Sequence, residues 1–366
     1  MRVSPTLSLY IGRHFLLSFA GLLLLFVLLI LLFDCVELLR RSAGRPDVTF
    51  GMVVELALLK LPHMGQLTFP FAVLFGSMAA FWRLTRNHEL VVTRAAGVSV
   101  WQFLLPVVVA ALLLGILRIT VINPLASTML SRYERLESSL IKGQQSALTL
   151  SQTGLWLRQS NATGQAVVHS SSVLLQGKSV ELKNVIVFLY EGKDKFAARI
   201  DAKSAELGDG FWLLREAHIH RPEKPPTYAA EHRLDTDLTL TKIQDSFAAP
   251  DTMSFWDLPG FIHTLRQAGF SAVRHRLHLH ALLAAPLLMA AMVLLAATFT
   301  LRHARRGGTT PIIASGVLTG FVIYFFSDLI FALGLSDSIP VAMAAWTPAG
   351  VTTMLGMAFL LHLEDG

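Results

Sequence analysis

The feature that most constrains this chain is a set of long runs with almost no charge. Residues 15–33 are 19 consecutive uncharged positions. At about 1.5 Å per residue, a helix of that length crosses a hydrocarbon core of about 30 Å. Comparable runs occupy 61–82, 100–117, 281–301, 311–335 and 339–361. In lipid the backbone must satisfy its own hydrogen bonds, so each run is predicted to be a spanning helix. Charged residues make up only 15% of the 366-residue chain, against about 25% in soluble proteins.

Local chemistry modifies several of these helices. Residues 1–14 form a mildly amphipathic lead-in placed at the cytoplasmic interface, and the first run reads as an uncleaved span with no cleavage site after it. Asp34, Glu37, Arg40 and Arg41 follow it without a helix breaker, so the first helix is predicted to extend beyond the lipid. Pro62 and Pro70 imply that run 61–82 is kinked or broken. Asn123–Pro124 is expected to end the helix that begins near residue 100. Asp328 lies inside the fifth run, where an acid is a functional candidate by default, its plainest role being a partner for an arginine.

Between the third and fourth runs the pattern changes to short alternating segments. Residues 154–159, 165–176, 179–191 and 227–240 read as strands, and Asp209–Gly210 between apolar runs as a hairpin. These features predict a β-sandwich or jelly-roll, flanked by helical connectors at 127–141 and 254–268, the second capped by Ser254 with Asp257 three positions later. The fold class is therefore an α+β membrane protein with six transmembrane helices and a β-jelly-roll inserted between helices 3 and 4. Its parts are 1–122, 123–273 and 274–366.

Segment 123–273 holds 16 basic and 16 acidic residues, so the net +6 of the chain resides in the membrane-flanking segments. That is a membrane property and no sign of nucleic-acid binding. The basic residues of the short loops lean weakly towards both termini in the cytoplasm. The β-domain then lies outside, which in a Gram-negative cell is the periplasm. Cys35 is the sole cysteine, which excludes an intrachain disulfide and a thiolate metal cluster.

No catalytic set is visible, whether paired carboxylates or a Ser/His arrangement. Gly177–Lys178–Ser179 resembles the end of a phosphate-binding loop, but position 172 is serine where that motif needs glycine. The chain is not expected to hydrolyse ATP itself, and no cofactor is expected. His275, His278 and His280 could be metal ligands in principle. They precede a span and no carboxylate is near in sequence, so interfacial anchoring is the favoured reading and no metal site is assigned. The sequon at Asn161 is read as chance.

Two groups of residues carry functional candidates. The first is residues 82–99, WRLTRNHELVVTRAAGVS. Thr85 or Asn87 can cap a short helix, Glu89 lies in its first turn, Arg94 in its last, and Gly97 can close it. Val91, Ala95 and Val98 share one thin apolar face. Such a helix is either a solvated basic loop or a coupling helix that docks on a cytosolic partner, with Glu89, Arg86 and Arg94 as contacts. The second group is Arg40, Arg41, Arg118, Arg132 and Arg135, all near one membrane level on the outer side. They either pair with Asp34, Glu37 and Glu134 at the interface, or form a ring that binds phosphates of an anionic lipid, for which the arginine fork is suited.

The order of three spans, an inserted β-domain and three spans resembles the LptF/LptG permeases of the lipopolysaccharide export ABC transporter. Glu89–Val98 with Ser99, reading ELVVTRAAGVS, resembles the family's coupling-helix motif. The strings GLWL at 154–157, LLAATFTLRHARRGG at 294–308 and the ending AAW…LLHLEDG are similar to the LptG branch. The resemblance implies a non-enzymatic inner-membrane subunit, multi-pass, serving outer-membrane biogenesis. Its partners would be a cytosolic ABC ATPase dimer, a second homologous LptF-like six-span permease, and LptC-like and LptA-like jelly-roll proteins of a periplasmic bridge, with lipopolysaccharide as cargo. Glu89 would meet a basic groove of the ATPase, and residues 83–98 would be the coupling segment. Arg40, Arg41, Arg132 and Arg135 match positions linked to lipopolysaccharide phosphates, whereas Arg118 matches none. The first and fifth spans would line a lateral gate. The rival reading is a scaffold that passes ATP-driven motion to a periplasmic partner without carrying lipid.

Overall fold

The computed structural model describes residues 5–42, 49–137, 148–151, 154–161, 164–176, 179–191, 195–222, 224–236, 249–267, 271–302 and 309–365. They fall into two compact units. One comprises 1–141, 251–256 and 273–366; the other comprises 142–250 and 257–272.

The first unit is helical. Helix α1 (Pro5–Ser42) runs unbroken through the charged positions after its apolar core, as the absence of a breaker predicts. Helices α2 (Phe50–Leu67) and α3 (Phe69–Arg86) meet at Thr68 with a 59° bend, so the pair makes one broken span. The break falls just before Pro70, which sits in the first turn of α3 where its missing N–H costs nothing; Pro62 stays inside α2. Helix α4 (Glu89–Ala95) is short, and α5 (Val100–Leu117) opens with a capping box in which Ser99 and Gln102 bond reciprocally. Among the described residues five helices are long and apolar enough to span, and the bent pair, taken as one span, brings the number to six.

Asn123–Pro124 does not end the third span. A π-turn at Arg118–Ile122 leads directly into α6 (Asn123–Glu137), and Val100–Glu137 is one continuous helical stretch. The wider i→i+5 turn gives the chain a place to absorb the proline without losing direction. Helices α8 (Val273–Arg302), α9 (Thr309–Leu335) and α10 (Val341–Asp365) follow the second unit's helix α7 (Leu258–Gln267).

Helix α8 is the hub. From Met289 to Ala297 its side chains are almost all buried, and they pack into one cluster with Phe15 and Phe19 of α1, Phe81 of α3 and Val107 and Ala111 of α5. Small residues let backbones approach. A Cβ on Gly115 would stand 2.5 Å from Pro286 Cα, and one on Gly76 would stand 2.9 Å from Phe19 Cα. Such crossings are how membrane helices gain packing where lipid offers no hydrophobic drive. Helices α1 and α9 are the least covered, with broad apolar faces turned outward.

The second unit is the inserted antiparallel β-domain. Its strands are β1 (Leu148–Ser151), β2 (Gly154–Asn161), β3 (Gly164–Gln176), β4 (Ser179–Glu191), β5 (Lys195–Leu207), β6 (Phe211–His220) and β7 (Thr227–Asp235). Each pairs with its sequence neighbour, giving a seven-stranded meander. The Asp209–Gly210 hairpin is present: Gly208 N–H donates to Phe211 O, and Gly210 takes φ +81°. The sheet curls on itself. Gln159 of β2 donates to Asp235 O (3.2 Å) and accepts from Thr236 Oγ1 (2.6 Å), although β2 and β7 are far apart in strand order.

The inward face stays apolar along whole strands because three of them change alternation at the same level. Buried positions step from Leu182 to Val185, from Ala202 to Ala205 and from Leu214 to Ala217, where strict alternation would place every second residue inside. Lys183 pairs with Ser204 and Ser204 with Arg215, so the three steps lie side by side. Asn184 (φ 49°) and Glu216 (φ 53°) take the left-handed conformation there. Lys203 Nζ bonds Glu216 (2.7 Å) and Asn184 Nδ2 donates to Ser171 Oγ (3.1 Å) on that row.

Helix α7 begins at Leu258, later than the cap assigned to Ser254. Residues 255 and 256 are held elsewhere: Phe255 N–H donates to Asn123 Oδ1 (2.8 Å), and Trp256 Nε1 donates to Thr120 O (3.4 Å) in the π-turn.

Candidate functional site

The short helix α4 is built by its two ends. His88 precedes it in the left-handed region (φ 60°), a role assigned from sequence to Thr85 or Asn87. Thr85 is still inside α3 and Asn87 caps that helix, so neither is available. At the other end Gly97 N–H donates to Arg94 O and Val98 N–H to Thr93 O, with Gly97 at φ +84°. That is a Schellman closure, which needs the glycine.

The face of α4 that packs inward is carried by Leu90, not by Val91 and Ala95. Val91, Val92 and Ala95 are exposed, beside the exposed Arg86 and Arg94. Glu89 is half-buried, accepts from Asn87 Nδ2 (3.2 Å) and shares a hydrogen bond with the Tyr10 hydroxyl of α1. Arg86 lies 5.2 Å from the Trp82 ring centre.

Four of the five candidate arginines converge around the packing of α1, α2 and α6. Leu38, Val53, Leu56, Ala57, Leu130 and Tyr133 form the core of that knot. Glu37 accepts from Arg40 Nε (2.9 Å) and Nη2 (3.0 Å) and from Arg41 Nε (2.8 Å). Arg41 also reaches Glu137 of α6 (3.5 Å). Arg132 faces Glu55 of α2 (3.5 Å), and Arg135 bonds Ser131 O and Oγ, both at 3.2 Å. Asp34 pairs with Lys60 at 2.5 Å, a residue the sequence did not single out. The pairs of Glu37 with Arg40 and Arg41 and of Arg132 with Glu55 are exposed and weak enough to exchange for a stronger anion, whereas Asp34–Lys60 is largely covered.

Arg118 is elsewhere. It opens the π-turn, within electrostatic reach of His63 of α2 and His278 of α8. The histidines of α8 do not anchor at a surface: His275 is buried, and His278 turns inward, its Nδ1 3.2 Å from Asp251. Asp328 differs from expectation too. It is exposed on α9, and no cation pairs with it among the described residues. Lys178 lies outside the described residues.

With this geometry in place, the comparison with known proteins is decisive. A sequence model of the lipopolysaccharide export system permease LptF/LptG matches residues 9–362. The chain belongs to the LptF/LptG permease family. Two relatives place it nearer LptG. It is 24% identical to the lipopolysaccharide export system permease protein LptG of Escherichia coli (strain K12), over 99% of each chain. It is 23% identical to the LptG of Haemophilus influenzae, over 94% of this chain and 95% of that one. This LptG-like member has the six helices and inserted β-domain that the sequence pattern implied.

Proposed function

We propose that this chain is the LptG-like permease subunit of an inner-membrane ABC transporter that exports lipopolysaccharide. The observation that carries the reading is the family match over residues 9–362, which spans both helix sets and the β-domain between them. On this reading both termini and α4 face the cytoplasm, and the β-domain stands in the periplasm. A cytosolic ATPase dimer grips α4 through Glu89, with Arg86 and Arg94 around it and Val91 and Val92 offering apolar contact. A second, LptF-like permease completes the transporter core. Arg40, Arg41, Arg132 and Arg135 meet lipid phosphates at the outer level, and Arg118 meets them deeper.

The cargo requirement favours a curled, apolar β-domain. An acyl chain exposed to water costs about 0.8 kcal/mol per methylene. Leu157, Val168, Leu182, Val187, Ile200 and Trp212 line the inward side of the curl and are buried there. From that domain lipid would pass to LptC-like and LptA-like bridge proteins.

The test is photocrosslinking in the reconstituted complex, with a photoreactive residue at Val187. ATP-dependent lipopolysaccharide adducts are the expected result. A complex that hydrolyses ATP and engages the bridge, yet never forms adducts, would instead favour the scaffold reading.

A further inference from the structure

We propose that Arg118, His63 and His278 form a half-buried anion site that takes a phosphate monoester, separate from the arginine cluster of α1 and α6. The site rests on the proposed export function only in assuming that an anionic headgroup reaches this level.

The argument begins with an uncompensated charge. Arginine stays ionised under all ordinary conditions. Arg118 Nε is sealed from solvent and has no hydrogen-bond partner among the described residues. Nor does any described carboxylate form an ion pair with Arg118, in contrast to Arg40, Arg41 and Arg132. A guanidinium N–H sealed in that state is costly unless a further acceptor completes it. A second unsatisfied atom points the same way, one that donates to an anion once the ring is protonated. His278 uses Nδ1 on Asp251 (3.2 Å), which leaves Nε2 buried and without a partner among the described residues.

The surroundings select the ligand. Arg118, His63 and His275 all lie within electrostatic reach of His278, and Lys60, Arg118 and Asp251 lie within reach of His63. Against these bases stand two acids, Asp34, which is paired with Lys60, and Asp251, which is engaged by His278. A metal ion is disfavoured by the two permanent cations, and the described residues bring no three histidine, cysteine or carboxylate ligands into a metal-holding group. A tetrahedral oxyanion suits donors that come from α2, the π-turn and α8, because it accepts hydrogen bonds from several directions at once.

The backbone supports the same reading. The π-turn Arg118–Ile122 widens the helix where Arg118 emerges, and such turns recur at functional sites. It is pinned by the chain that carries Asp251: Phe255 N–H bonds Asn123 Oδ1 and Trp256 Nε1 bonds Thr120 O. The acid that orients His278 is thus held to the turn that presents Arg118.

The test uses the complex as it purifies from membranes, placed in phosphatidylcholine nanodiscs with a minor fraction of phosphatidic acid. Native mass spectrometry then counts the retained phosphatidic acid. Wild type should retain it, and Arg118→Gln, His63→Gln and His278→Gln should each lower retention about tenfold, the loss expected for a hydrogen bond to a charged group. Arg118→Lys, which keeps the charge, should lie between. A second arm offers inorganic phosphate to complexes in phosphatidylcholine alone, read by ³¹P line broadening. Broadening lost in Arg118→Gln, with no retained phosphatidic acid, assigns the site to free phosphate. If wild type shows neither retention nor broadening, or the glutamine variants match wild type in both arms, the proposal is overturned. Should Arg118→Gln fail to assemble, the two histidine variants carry the same decision. Lipopolysaccharide release by the wild-type complex is measured in parallel. Export without binding at Arg118 removes this site and leaves the function, whereas binding without export does the reverse.

Discussion

Glu37 sets the terms for the outer arginines. It accepts three hydrogen bonds from Arg40 and Arg41, so any phosphate that approaches must displace a carboxylate first. Glu37→Gln keeps the shape and removes the charge. It should free both cations and raise retention of an anionic lipid about two- to fivefold, the scale of exposed ion pairs. Native mass spectrometry of the variant complex checks this. Lower retention would mean that Glu37 positions the arginines more than it competes for them. Glu89 is the corresponding residue on α4, where the Tyr10 hydroxyl and Asn87 already hold it in place. Glu89→Lys should abolish co-purification of the ATPase while the permease still reaches the membrane. Intact co-purification would remove Glu89 as the contact. Both acids were visible in the sequence, and so was the pairing of Glu37 with the arginines three and four positions on in α1; the contact of Glu89 with Tyr10 was not, because it depends on how α1 and α4 are brought together.

At the scale of elements, apolar length and punctuation were the legible signals. Spans, the break at Pro70, the closure at Gly97 and the turn at Asp209–Gly210 all follow from local chemistry. Signals that depend on tertiary context misled. Pro124 looked terminal because nothing local announces a π-turn, and Ser254 looked like a cap because the contacts that hold its neighbours Phe255 and Trp256 come from residues 123 and 120. The inward face of α4 was misassigned since Leu90, one position from the expected stripe, meets the core. His275 and His278 looked interfacial, and only the fold buries the first and turns the second towards Asp251. The glycines were likewise silent in sequence. Gly115 permits α5 to meet α8 at Pro286, where the nearest obstacle to a side chain is backbone that cannot rotate away. Gly115→Val should therefore destabilise the helical unit by about 1–3 kcal/mol, the usual cost of overpacking. Thermal melting of the purified permease checks it, with Gly12→Val, whose Cβ position is open, as the comparison expected to stay near wild type.

For the whole molecule, the question is whether the curl must open for lipid to pass. The sheet closes through Gln159 and Thr236, a polar seam between strands at opposite sides of the order. Its inward side chains are apolar and buried, so an acyl chain can enter only by displacing what covers them. A seam of hydrogen bonds suits that exchange better than a packed apolar one, since water can satisfy its groups when it parts. The alternation step shared by β4, β5 and β6 supplies a natural line for bending, because its left-handed residues already depart from regular pleat. If opening is required, tying the seam must stop transfer without stopping ATP hydrolysis. Gln159→Cys with Thr236→Cys, in a Cys35→Ala background so that no other thiol competes, joined by a short thiol crosslinker, makes that tie. Crosslinked complexes should lose ATP-dependent lipopolysaccharide adducts at Val187 while hydrolysing ATP, and a cleavable linker should restore the adducts on reduction. Undiminished adducts in the tied domain would show that lipid passes with the seam closed, and the path would then have to run along an edge of the sheet.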